Sequence, residues 1–134
     1  MTGFAAWELQ TAIFNALNTD TALLARVSGV FDKVPSGTAF PYVVIGDSKA
    51  KDWSSKTFNG QEHTFQVEVF SQTGGRMEMK EVMALAYDAI LGQTLTVAGN
   101  ELVNLLHTDS DDVLDKDGIT YHGTLRFRAV TKQI

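Results

Sequence analysis

Five aspartates lie within ten residues near the end of the sequence, and carboxylates at this density could bind calcium. They are Asp109, Asp111, Asp112, Asp115 and Asp117, in the stretch DSDDVLDKDG. An EF-hand loop needs acidic ligands at positions one, three and five, glycine at six and glutamate at twelve. With Gly118 at position six, Val113 takes position one and Thr124 position twelve, so two ligands are missing. We therefore predict no calcium site, and we interpret Asp117-Gly118 as a solvated hairpin turn.

The three histidines could also carry chemistry, as zinc ligands or as proton carriers. They are His63, His107 and His122, and none sits in a His-x-x-x-His or Glu-x-x-His arrangement, so a zinc site is not expected. All three fall in predicted strands, where a sheet could bring them together. Ordinary surface or hydrogen-bonded histidines are the simpler interpretation.

Signals for a nucleophile or a phosphate site are equally poor. The chain has no cysteine and no Gly-x-Ser-x-Gly elbow. SQTGGR, at 71–76, places two glycines before a predicted helix but lacks the Lys-Ser/Thr of a P-loop, so a capped turn is favoured. Met77, Met79 and Met83 are typical of core filling. We predict no cofactor and no enzymatic activity.

The length and net charge of the chain limit the classes of protein to which it could belong. The 134 residues fit one domain, 1–134, and a net charge of −5 argues against gripping nucleic acid through its phosphates. It does not exclude a protein that lets DNA slide past. No apolar run is long enough to span a bilayer, and MTGFAAWELQ lacks signal-peptide features, so a cytoplasmic protein without membrane contact is expected.

Hydrophobic periodicity predicts the elements that position these residues. Helices are expected over 3–18, 19–29 and 76–91, and strands over 30–34, 42–47, 61–72, 101–111 and 118–131, with a strand or turn at 95–99. Strands come mostly in runs, which predicts an α+β fold, with a mostly antiparallel sheet of four to five strands and helices packed on one face.

The two clearest strands assign the faces of this sheet. Alternation predicts that the two long helices bury Phe65, Val67, Leu125 and Phe127. The opposite face is expected to stay polar unless a partner covers it. It carries Gln66, Glu68, Arg126 and Arg128.

A polar stretch at 49–60 is predicted to be a long loop. It is locally basic, with Lys49, Lys51 and Lys56, and it contains two aromatic residues, Trp53 and Phe58. Aromatics in such a loop either fold back on their own domain or anchor a partner. Both possibilities remain open from the sequence.

Several stretches, in order, resemble the tail completion or tail terminator family of long-tailed phages, prophages and gene transfer agents. The most specific are PYVVIG at 41–46, preceded by Pro35; then Gly60 with EHT at 62–64; and finally His122-Gly123 with LRF at 125–127. The resemblance covers nearly the whole chain. These motifs are structural, and no active site comes with them.

This resemblance implies a ring, usually of six copies, that sits on the finished tail tube. Such a ring halts tube polymerisation and offers a surface to the head-completion or connector protein, while DNA passes through its central hole. Assembly in the bacterial cytoplasm and a final place at the head–tail junction follow. We hypothesise that the interfaces use Lys49, Lys51, Trp53, Lys56, Phe58, Arg126 and Arg128. The five aspartates are assigned, also as a hypothesis, to the lumen or a rim.

Two other interpretations stay open. One is a small α+β enzyme or ligand-binding protein that uses the polar sheet face, with His63, His122, Arg126 and Arg128 as its site. The other is a different adaptor at the head–tail junction. A ring-forming protein would be oligomeric, alone or with tube protein, whereas a small enzyme has no such need.

Overall fold

The computed structural model describes residues 4–134, which form three helices and five strands. In chain order these are α1 Ala6–Asn18, α2 Thr21–Leu24, β1 Val30–Phe31, β2 Tyr42–Asp52, β3 Gly60–Ser71, α3 Met77–Leu91, β4 Asn100–Leu114 and β5 Tyr121–Gln133. The α+β class is confirmed. The predicted start of the first helix at Gly3 lies outside the described residues.

One five-stranded sheet organises the molecule, in the order β1-β2-β3-β5-β4. β1 pairs with β2 in parallel, and the other three pairings are antiparallel. The sheet is therefore mixed, although it is mostly antiparallel as expected. β4 and the β1–β2 side form its two edges.

The core lies between one face of this sheet and the helices. α1 contributes an apolar stripe at helical spacing, which includes Leu9, Ile13 and Leu17, all buried. From the sheet, Phe65 and Phe127 meet this layer with their rings stacked 5.2 Å apart. Val67 and Leu125 are buried beside them, so the predicted inward face is confirmed.

Close packing of α3 on β5 depends on Gly123. A Cβ atom at this position would lie 2.4 Å from the sulfur of Met83, nearer than atoms can approach. The missing side chain lets the helix sit directly on the strand, and Met79 and Met83 fill the space as core residues, whereas Met77, predicted with them, is exposed. Gly92 ends α3 as predicted, and its N–H donates to Asp88.

Some predicted boundaries are wrong. β1 is only two residues long and α2 ends at Leu24, well before Gly29, whereas the strand or turn expected at 95–99 is a turn at 98–99. Asp20 caps α2 by accepting a hydrogen bond from Leu23 N at 2.9 Å. The largest corrections concern β2 and β4, which are longer than predicted and carry the charged residues considered next.

Candidate functional site

The sheet face opposite the helices, here called the helix-free face, gathers most of the predicted interface residues. Cross-strand partners share a face, and the register aligns Thr64 with Arg128 and Gln66 with Arg126. The same face carries Lys49 and Lys51 on β2, Glu62 and Glu68 on β3, His122 and Thr124 on β5, and Asp109 and Asp111 on β4.

Glu62 is the centre of one charge cluster on this face. Lys51 Nζ lies 2.9 Å from Glu62 Oε1, and the Arg128 guanidinium donates to Glu62 Oε2. Hydrogen bonds from Lys51 and then from Arg128 hold the pKa of Glu62 below its usual range. Two cations share one carboxylate, so the cluster keeps one net positive charge.

Arg126 forms a second cluster with the opposite balance. Its Nη1 lies 3.1 Å from a carboxylate oxygen of Asp111 and 3.2 Å from one of Asp109. The hydrogen bond to Asp111, followed by attraction from both aspartates, raises the pKa of Arg126. Two carboxylates share one guanidinium, which leaves one net negative charge.

An aromatic row, which sequence reasoning missed, crosses the same face. The ring of Tyr42 stacks on Phe70 at 5.3 Å, and Phe70 stacks on His122 at 4.2 Å. His122 Nε2 also lies 2.9 Å from Glu68. Burial, followed by the nearby charge of Asp115, raises the pKa of Tyr42. The row takes one residue from each of three strands, so no single stretch of sequence signalled it, and the cross-strand register was needed to align the rings.

The predicted long loop at 49–60 is wrong, because β2 continues through Asp52 and β3 begins at Gly60. Lys49 and Lys51 are strand residues, and only residues 53–59 form the connection, where Lys56 is exposed. The polar composition misled the prediction, because this part of β2 lies at an edge of the sheet and does not need apolar alternation.

Trp53 and Phe58 pack against each other in this connection, with ring centroids 5.5 Å apart. Trp53 also lies against Gly60, where a Cβ atom would come within 2.9 Å of its ring. The Lys132 ammonium lies 4.9 Å from the centre of the Phe58 ring. Trp53 nevertheless stays 40% exposed, so folding back leaves part of it open to a partner.

The sequence suggested that the five aspartates lie together in one turn, but the structure separates them. Asp109, Asp111 and Asp112 are strand residues of β4, and Asp115 and Asp117 follow it. Asp112 lies 2.8 Å from Nε of Arg76, the residue before α3, and 3.8 Å from Nζ of Lys80 on α3.

The turn at Asp117-Gly118 is confirmed. Gly118 N donates to Asp115 O at 3.0 Å. Asp117 accepts hydrogen bonds from the Thr120 hydroxyl and from the backbone N–H groups of Thr120 and Ile119. These contacts lower the pKa of Asp117, and the hydrogen bond from the Thr120 hydroxyl has the largest effect. Within residues 4–134 no three His, Asp or Glu side chains are arranged to hold a metal ion.

The enzyme-like site considered from the sequence does not form. His63 lies on the helix-covered face, where it is buried and bonded to Thr131, whereas His122, Arg126 and Arg128 lie on the opposite face. His107 also lies on the helix side, between the rings of Tyr87 and Phe127. Lys51, Glu62, Arg126 and Arg128 of the helix-free face thus form ion pairs across strands, which suits an interaction surface better than a catalytic centre.

Helices that could cross a membrane are absent from the described part of the chain, since none is both long and apolar enough.

Fold and surface together define a structural interaction protein, and comparisons with known proteins give its family. The family model for the tail completion protein gp17 matches residues 11–132, so the chain belongs to that family. Among individual proteins, it is 27% identical over 124 residues to the tail completion protein gp17 of Bacillus phage SPP1, covering 92% of each chain. The expected family is confirmed, and the protein is a structural component of tail assembly, not an enzyme.

Two solved structures share the fold. One is a chain in the virion of a native gene transfer agent particle, with a TM-score of 0.89, 29% identity and coverage of 98% of this chain and 99% of that one. The other is the structure of the gp17 protein of bacteriophage SPP1, with a TM-score of 0.63, 24% identity and coverage of 99% and 96%. The second similarity concerns the fold alone.

Proposed function

We propose that this protein closes the end of a phage-like tail tube as a ring, stops tube polymerisation and provides the surface on which the head joins. The observation that carries the proposal is the similarity to a chain of the gene transfer agent virion, at a TM-score of 0.89 over nearly the full length of both chains. The proposed partners are further copies of this chain, the tail tube protein and the head-completion or connector protein.

A ring of six copies needs two different surfaces that meet head to tail, because a contact between identical surfaces ends at a dimer. The sheet supplies such a pair. One edge is the fifteen-residue strand β4, and the other is β2, which β1 covers only at Val43 and Val44. The helix-free face and the connection at 53–59 then offer further area for contacts. Lys49, Lys51, Trp53, Lys56, Phe58, Arg126 and Arg128 are proposed as interface residues.

Passage of DNA through the ring fits the charge of the chain. A net charge of −5 repels phosphates, so DNA slides through without being held. The Arg126, Arg76 and Lys80 side chains pair with the three aspartates of β4, whereas Asp115 and Asp117 in the turn after it have no lysine or arginine partner among the described residues. We place Asp115 and Asp117 of this turn at the lumen or rim.

The protein acts in the bacterial cytoplasm while particles are built, and it stays at the head–tail junction of the finished particle. Native mass spectrometry of the purified chain, with and without its tail tube protein, tests the ring directly. We expect one oligomer, a hexamer, either for the chain alone or after tube protein is added. A monomer under both conditions contradicts the ring.

A further inference from the structure

We infer that neighbouring copies join edge to edge, with β2 of one copy pairing antiparallel to β4 of the next, and with Lys49 opposite Asp111 and Lys51 opposite Asp109. The inference rests on the proposed function only in that several copies meet in a ring. It adds which strands meet, in which direction and in which register.

Both strands have a free side. No described residue pairs with the outer side of β4, and β1 covers β2 only at Val43 and Val44. From Ser48 to Asp52, β2 therefore has β3 on one side and no described strand on the other. β4 also exposes apolar side chains to solvent, namely Val103, Leu106, Val113 and Leu114. A long edge with exposed apolar residues is a surface prone to pair with another strand.

The directions of the strands agree with this junction. β2 and β3, β3 and β5, and β5 and β4 are each antiparallel, so three reversals make β4 run opposite to β2. When the next copy continues the sheet in the same orientation, its β2 lies antiparallel to the first copy's β4. Antiparallel pairing is the more stable of the two arrangements.

Charge then selects the register. Lys49 and Lys51 are two residues apart on the helix-free face at one edge, and Asp109 and Asp111 have the same spacing on the same face at the other. In an antiparallel pair the residue numbers of opposed positions have a constant sum, so Lys49 opposite Asp111 places Lys51 opposite Asp109. Both lysines then face an aspartate directly, the arrangement that stabilises a cross-strand pair.

The ion pairs within each copy leave charge for this contact. On the β2 side, Lys49 has no ion pair with a described residue, and Lys51 shares Glu62 with Arg128. On the β4 side, Asp109 and Asp111 have only Arg126 between them. Lys49 and Lys51 of one copy therefore meet Asp109 and Asp111 of the next, and each pair keeps charge that the ion pairs within its own copy do not compensate.

The same charges act against wrong contacts. Two β2 edges would bring lysines together, and two β4 edges would bring aspartates together, so contacts between identical edges are disfavoured. Lysine on an edge strand normally prevents pairing. Here the lysines of β2 prevent pairing with another β2 edge but attract the aspartates of a β4 edge. This favours the head-to-tail contact that a closed ring requires.

A disulfide cross-link tests the register, because the natural chain contains no cysteine. Opposed residues of an antiparallel pair have Cα atoms about 4.5–5.5 Å apart, within the range of about 4.4–6.8 Å that a disulfide spans. In particles carrying Lys49→Cys with Asp111→Cys, we expect oxidation to give a ladder of linked copies on a non-reducing gel. The control is Lys49→Cys with Glu101→Cys, about 33 Å further along β4 at about 3.3 Å per residue, and it gives no ladder. Particles that contain the first variant and show no ladder overturn the register.

A charge exchange provides a second measurement. It tests the pairing of β2 with β4 even when the cysteine variants do not assemble. Lys49→Glu and Asp111→Lys, each alone, reduce ring formation by about 1.5- to 5-fold per contact, while Tm stays near that of the wild type. The double variant returns to within about twofold of wild type, because the pair is restored with reversed sign. Wild-type assembly by both folded single variants, or no recovery in the double variant, contradicts the pairing. The proposed function has a separate test, which is to examine particles made without this protein. The result of that test does not depend on which strands join the copies.

Discussion

His63 Nε2 lies 2.9 Å from Oγ1 of Thr131, and the structure buries both side chains beneath the helices. Burial lowers the pKa of His63, because the charged imidazolium is poorly solvated there. The unfolded chain therefore takes up the proton first as pH falls through about 6.5. The stability that neutral His63 contributes is therefore complete above that pH. It is lost as the pH falls from there towards the pKa of His63 in the folded state.

We accordingly expect Tm to fall between pH 7 and pH 5, and His63→Gln to reduce that fall. Thermal unfolding followed by circular dichroism at both pH values measures the difference. Gln66→Ala, which removes no titratable group from the helix-free face, is the control and keeps the dependence. An unchanged dependence in His63→Gln would show that other groups cause it.

Phe127 is fully buried and stacks on Phe65, so its truncation leaves a cavity in the core. Phe127→Ala is expected to lower the free energy of unfolding by about 3–5 kcal/mol. Trp7 is 67% exposed on α1, and Trp7→Ala serves as the control, with a loss under about 0.5 kcal/mol. Urea denaturation measures both variants. A loss below about 1 kcal/mol for Phe127→Ala means that the inward face is assigned wrongly.

Patterns that reflect burial on one face were predictable from the sequence. Alternation in β3 and β5 placed Phe65 and Phe127 in the core, where they lie, and helical spacing predicted α1 and α3. β2 beyond Asp47 was missed, because an edge strand next to solvent shows no apolar alternation.

The ion pairs of the β4 aspartates were missed for a different reason. Asp109 and Asp111 fall inside the predicted strand at 101–111, but their ion pairs with Arg126 of the neighbouring strand depend on how the two strands align. Which residues lie together on the helix-free face depends on strand order and register, and one chain's local sequence does not encode these directly.

Trp53 tests the connection at 53–59 as an interface. Part of its ring already packs on Phe58, so Trp53→Ala is expected to lower Tm by less than about 4 °C. The exposed part is proposed to contact a neighbouring copy or the last ring of the tube, and ring formation or tail joining is therefore lost. Native mass spectrometry measures ring formation and particle counts measure tail joining, with Trp7→Ala as the matched control. A variant that loses several degrees of stability and still builds working particles argues against the interface.

Calcium titration tests the acidic segment 109–118. Asp109 and Asp111 already accept from Arg126 and Asp112 from Arg76, and no three carboxylates of the described segment are arranged around one point. Isothermal titration calorimetry is expected to show no saturable binding below about the millimolar range. The Asp117→Asn variant gives the same trace if this is correct. A micromolar site that this substitution weakens would reverse the interpretation.

Electron microscopy of particles made without this protein tests the central claim most directly. A ring that ends the tube and carries the head predicts tails of uncontrolled length, or tails that remain separate from filled heads. Supplying the wild-type gene in trans restores joined particles of uniform tail length. Particles that lack the protein and still carry tails of normal length joined to heads contradict the proposed function.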